Sequence, residues 1–100
     1  MPLFFPDDHK PDLSISSIVE LKCLDVETGQ VVRVLVWDKA TENHGLAIGH
    51  REPFIDANRD RVFLAVLDRI VAEASDTYDR LGRPRLFELR GEVLRAQSVA

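Results

Sequence analysis

Three histidines, one cysteine and a C-terminal run of arginines are the residues of this chain with the widest chemical range. His44 and His50 flank the stretch between Gly45 and Gly49, with Glu42 and Glu52 nearby. An imidazole beside a carboxylate can serve as a general base or a pH-sensitive contact. A separation of six residues, however, matches neither a helical pair nor a zinc-ligand pattern. The plain expectation for this segment is an exposed polar loop. His9 follows Asp7 and Asp8, a grouping able to catch a divalent cation, but the prolines around it supply no fixed ligand geometry. Cys23 lies within an apolar strand pattern. A nucleophilic thiol needs a lowered pKa and an adjacent base, and in this setting a cysteine acts as a small hydrophobe. The five glycines form neither a phosphate-cradling loop nor a dinucleotide fingerprint. No catalytic, metal-binding or cofactor-binding residue is assigned, no cofactor is expected, and the chain reads as non-enzymatic.

Arg80, Arg83, Arg85, Arg90 and Arg95, set against Glu88 and Glu92, give the C-terminal segment an excess of positive charge. On an extended backbone Arg83 and Arg85 share one side and are placed to meet phosphates or an acidic partner. The chain as a whole carries a net charge of −4, and interleaved glutamates are what an ordinary solvated surface contains. Nucleic-acid binding is therefore the second reading rather than the first.

The elements that must position these residues follow from periodicity. The 100 residues, with 45% hydrophobic and 30% charged side chains, make one domain of the globular class. Residues 1–13 hold three prolines and read as an irregular arm. Leu3, Phe4 and Phe5 within it are too apolar to stay in water, so they dock on the body or on a partner. Residues 17–26 and 30–37 are rich in β-branched side chains and predict a hairpin. A three-residue loop at Glu27-Thr28-Gly29 would pair Leu24 with Val32, Leu21 with Leu35 and Val19 with Trp37. That register sets Val19, Leu21, Cys23, Val31, Leu35 and Trp37 on one face. It leaves Val32, Val34 and Val36 on the other, which calls for a further strand beside 30–37 and a cover for the valines.

Asp38 suits the start of a short helix near 39–44, stopped by Gly45. Residues 57–81 form the strongest pattern: an apolar stripe of Phe63, Leu64, Val66, Leu67, Ile70, Val71, Ala74, Tyr78 and Leu81, with Asp68, Arg69, Glu73, Ser75, Asp76, Asp79 and Arg80 opposite. One continuous amphipathic helix is expected there, ended by Gly82 and Pro84. Residues 85–90 suit the missing strand, although the segment to residue 97 also fits a helix weakened by Gly91. The fold class is thus α+β, a hairpin and third strand packed on one long helix.

A helix of roughly 37 Å is about as long as a 100-residue globule is wide. Its stripe is closed either by the C-terminal strand and N-terminal arm or by a second chain. A homodimer or other protein partner is favoured, with Phe4, Phe5, Val32, Val34 and Val36 as the candidate interface. The single cysteine precludes an internal disulfide and points to a reducing, cytoplasmic setting. The longest apolar run, Val62–Leu67, falls far short of the ~20 residues that span a bilayer, so no membrane partner is expected.

Overall fold

β-Branched residues alternating along one stretch of chain build the middle of the sheet. The computed structural model describes residues 2–6, 17–52 and 54–91. Strands β1 (Leu3–Phe4), β2 (Ile18–Asp25), β3 (Val31–Trp37) and β4 (Leu86–Leu89) form one mixed sheet in the order β1-β2-β3-β4. The first three strands run antiparallel, and β4 joins β3 in parallel. Helices α1 (Asp38–Ala47), α2 (Asp56–Ala65) and α3 (Leu67–Arg80) fill the crossover between β3 and β4. The protein is therefore α+β, and the strand expected near 85–90 is present as β4.

The hairpin register differs by one residue from the expected one. Cys23 pairs with Val32, Leu21 with Val34 and Val19 with Val36. The cause lies in the side chain of Asp25. Its Oδ1 accepts the backbone N–H groups of Glu27 at 2.8 Å and Thr28 at 3.3 Å, an Asx-type turn. The Asp25 N–H bonds the Gln30 carbonyl at 2.9 Å, and the Gly29 N–H returns to the Asp25 carbonyl at 2.8 Å. The loop thus spans Val26 to Gly29, four residues rather than three, with Gly29 at φ +77°.

That one-residue slip exchanges the faces of β3. Val32, Val34 and Val36 are each 0% exposed and face Val19, Leu21 and Cys23 in the core. The cover they require is supplied by this same chain: Ala40, Phe63, Val66, Ile70, Ala74 and Tyr78 complete the cluster, with Phe87 and Leu89 from β4. The three valines offer no surface to a partner, which corrects their place in the candidate interface. Val31, Leu35 and Trp37 turn instead to the opposite side of the sheet.

The arm contributes more than irregular chain. Leu3 is fully buried in β1, where its N–H donates to Ser75 Oγ at 3.2 Å and its carbonyl accepts from that hydroxyl at 3.1 Å. This pair explains why Ser75, on the polar side of the helical pattern, is buried. Phe5 packs partly against the core, so it is no free interface residue. Residues 7–13, His9 among them, lie outside the described residues.

The long helix is also corrected: it divides at Val66. Val66 takes φ −108° and ψ 9°, outside helical values, and its N–H is shared between the Val62 and Phe63 carbonyls, both at 3.1 Å. No proline or glycine marks the break. Its physical reason is tertiary. The bend lets Val62 pack on α1, where Val62 Cγ1 lies 3.2 Å from the position of a Cβ on Gly45. Gly45 therefore does not stop α1. It sits inside the helix as the close-approach residue, and α1 runs on to Ala47. Phe63 and Val66 remain fully buried. Leu64 and Leu81 of the stripe stay exposed, each at 54%, but its centre from Phe63 to Tyr78 is covered within one chain and requires no second chain to close it.

Candidate functional site

Among the described residues, three regions gather polar or exposed apolar side chains into one place: a cleft between α1 and α3, a buried network at the hairpin turn, and the uncovered face of the sheet. In the cleft, His44 Nε2 lies 2.7 Å from Glu73 Oε1. Ala40, Asn43, Ala47, Arg69 and Gly91 complete the lining of a cavity of about 280 Å³. Small residues make the space, and the Asn43 side chain donates to the Gly91 carbonyl at 3.1 Å to fix one wall. The exposed polar loop expected around His44 and His50 is not what the fold builds, because α1 continues through His44 to Ala47. His50 packs beside Gly45 and is not part of the cleft lining, and its Nε2 is buried with no hydrogen-bond partner among the described residues. Glu73 and Arg69 were legible only as polar positions of a helix, because their neighbours come from another helix.

At the turn, Tyr78 donates its hydroxyl to Asp25 Oδ2 at 2.6 Å and accepts from Gln30 Nε2 at 3.1 Å. Arg83 lies 3.7 Å from the same carboxylate oxygen and 5.7 Å above the Tyr78 ring. The Tyr78 hydrogen bond, with those from the loop backbone, holds the Asp25 carboxyl below its usual range despite the opposing effect of burial. Burial, then the hydrogen bond to Asp25, pushes the Tyr78 phenol up. Both groups are thus locked in their neutral-pH forms, Asp25 charged and Tyr78 protonated, a structural clamp rather than a proton-transfer pair.

Tyr78→Phe should remove about 1–3 kcal/mol of stability, the cost of leaving a buried acceptor short of a donor, measured by urea denaturation at pH 7. Because the Asp25 pKa is lowered on folding, its contribution is complete above the ordinary aspartate range and fades as pH falls through the lowered value. The gap between wild type and Tyr78→Phe should therefore shrink as the medium is acidified. A gap that widens toward acid would contradict this assignment.

The described arginines of the C-terminal segment are mostly committed within the protein. Arg83 bonds Asp79 at 2.9 Å and Glu27 at 3.1 Å. Arg90 bonds Glu88 at 2.8 Å and stacks 5.2 Å above Trp37. Arg85 donates to Gln30 at 3.3 Å. Arg80 is exposed, and Arg95 lies outside the described residues. Carboxylates interleaved with the guanidinium groups neutralise much of the field that a phosphate backbone would seek. Cys23 is fully buried, and burial pushes its thiol up to about 11, which keeps it protonated and inert.

The uncovered side of the sheet carries Phe4, Leu24, Val31, Leu35, Trp37 and Leu86, with Glu20, Lys22, Arg33 and Glu88 among them. Phe4 is 45% exposed, Val31 53% and Leu86 48%. A Glu20–Arg33 pair at 2.7 Å spans β2 and β3, and Trp37 Nε1 donates to Glu88 at 3.1 Å. An antiparallel sheet face turned to water is normally polar, and this one is mainly apolar. Among the described residues no group of three or more His, Cys, Asp or Glu could hold a metal ion, and no helix is long and apolar enough to cross a membrane. No protein-family model, curated protein or solved structure matches the chain.

Proposed function

We propose that the protein is a non-enzymatic interaction module that works through the uncovered face of its sheet, and that the first occupant of that face is a second copy of the chain. The observation that carries this reading is the exposure of Phe4, Val31 and Leu86 on a single continuous face. Four strands at about 4.8 Å spacing, with about 3.3 Å per residue, make a plate about 19 Å across and about 23 Å long at β3, shorter at β1 and β4. Its charges are nearly balanced, Glu20 and Glu88 against Lys22, Arg33 and Arg90. A balanced face meets its own copy without net repulsion, whereas a strongly acidic or basic partner finds no complement there. A two-fold contact of face on face is the simplest closed arrangement.

The plate is smaller than the ~800 Å² that each partner contributes to a standard interface. The dimer is accordingly a dissociating one, with a dissociation constant on the order of 1–100 μM. Sedimentation velocity on the full chain over a concentration series tests this. Val31→Glu and Leu86→Glu, each at an exposed position, should shift the population to monomer without lowering the melting temperature. A wild-type chain that stays monomeric up to about 1 mM, or charged variants that dimerise unchanged, would overturn the reading.

A further inference from the structure

The cleft between α1 and α3 holds a cation, Arg69, that has no ion-pair partner among the described residues. Arg69 and Glu73 stand one helical turn apart on α3, a spacing at which opposite charges commonly close on each other. Here they do not. Glu73 is taken by His44, at 2.7 Å from Nε2, and Arg69 makes no ion pair among the described residues. Both side chains line the same cavity of about 280 Å³, close to the lower bound of ~300–1,000 Å³ for small-ligand sites. The cavity exists because Ala40, Ala47 and Gly91 are small, and its wall is held by the Asn43 bond to Gly91.

We propose that this cleft binds a small free carboxylate, with Arg69 as its anchor. A guanidinium presents two parallel N–H groups in the geometry of a carboxylate. Asn43 and the imidazole of His44 add polar groups to the same lining, and the alanines take the apolar remainder of the ligand. With Nε2 turned to Glu73, the Nδ1 edge of the imidazole is the ring's other polar group, so a ligand that also carries a hydroxyl, able to donate or accept, gains a second contact. The carboxylate is favoured over a phosphate by charge. Glu73 lies in the same cleft, and a dianion would meet about twice the repulsion from it that a monoanion meets. The His44–Glu73 pair thus has a positioning role: it holds the glutamate away from Arg69 and leaves the guanidinium open.

The test is a titration of the full chain, followed by amide chemical shifts, with acetate, lactate, benzoate and inorganic phosphate as separate probes. At least one carboxylate should move the Asn43, His44, Arg69 and Glu73 resonances with saturation at about 1 mM or a few times that. Arg69→Met should weaken that binding at least about tenfold, the range expected for a charge-assisted bond. Glu73→Gln should tighten it severalfold by removing the nearby negative charge. Opposite signs for the two variants separate a binding role from a structural one, since loss of structure would weaken both. Absence of saturable shifts with every carboxylate, phosphate binding as tightly as the best carboxylate, or weakening in Glu73→Gln with the fold intact would each overturn the proposal.

Discussion

Phe63→Ala is expected to lower the folding free energy by about 3–5 kcal/mol, the range for truncating a fully buried aromatic side chain. A domain of this size is stable by only roughly 5–15 kcal/mol, so the variant would be close to unfolding at 37 °C. Phe63 is 0% exposed and stands three residues before the bend at Val66. Its ring joins a cluster to which the sheet contributes Val32, Val34 and Val36 and α3 contributes Ile70 and Ala74. Rigid strands on one side and a tethered bend on the other keep the site from collapsing around an alanine, which places the cost at the upper end of the range. Leu64→Ala is the control. Leu64 neighbours Phe63 in sequence but is exposed, and its replacement should change stability by no more than about 0.5 kcal/mol. Equal losses for the two variants in urea denaturation would contradict the placement of α2.

Gly91→Ala is expected to cost about 2–4 kcal/mol, from two causes that add. Gly91 has φ +74°, and a side chain in that region costs roughly 1–3 kcal/mol by itself. A Cβ there would also stand 2.7 Å from the Ala40 backbone nitrogen and 2.8 Å from the Lys39 carbonyl carbon. Those atoms belong to the first turn of α1 and cannot swing aside as a flexible side chain would. Gly82 isolates the first cause. It has φ +83° but open space around it, so Gly82→Ala should cost only about 1 kcal/mol, the backbone term alone. Thermal melts of the two variants side by side should show Gly91→Ala clearly lower. The same substitution should distort the α1–α3 cleft, because Asn43 bonds the Gly91 carbonyl.

Much of the architecture is a matter of local pattern. The hairpin strands could be read because their β-branched residues stand in a run bounded by a Gly-containing turn. The strand at 86–89 could be read because a β3 apolar on both sides required a neighbour. What was not legible is equally specific. Asp25 reads as a polar interruption of an apolar face, yet it is fully buried and its carboxylate sets the turn. That single side chain moved the register by one residue and carried Val32, Val34 and Val36 from the surface into the core. The candidate site suffered in the same way. His44 was visible as a reactive side chain, but Glu73, 29 residues away in sequence, was not.

Composition and periodicity alone determined that this chain is α+β with a central hairpin, an amphipathic helical stripe and a closing strand. Those features depend on interactions between residues a few positions apart, which the order of side chains states directly. Only the tertiary structure decided which sheet face is covered, where the helix bends and which charges meet. A period-two strand has no preferred side until a turn carboxylate or a packed helix selects one. A helix holds its line until a distant surface, here α1 at Gly45, rewards a break. Because both choices are made by residues far apart in the chain, the uncovered face and the Arg69 cleft emerged only when the elements were assembled.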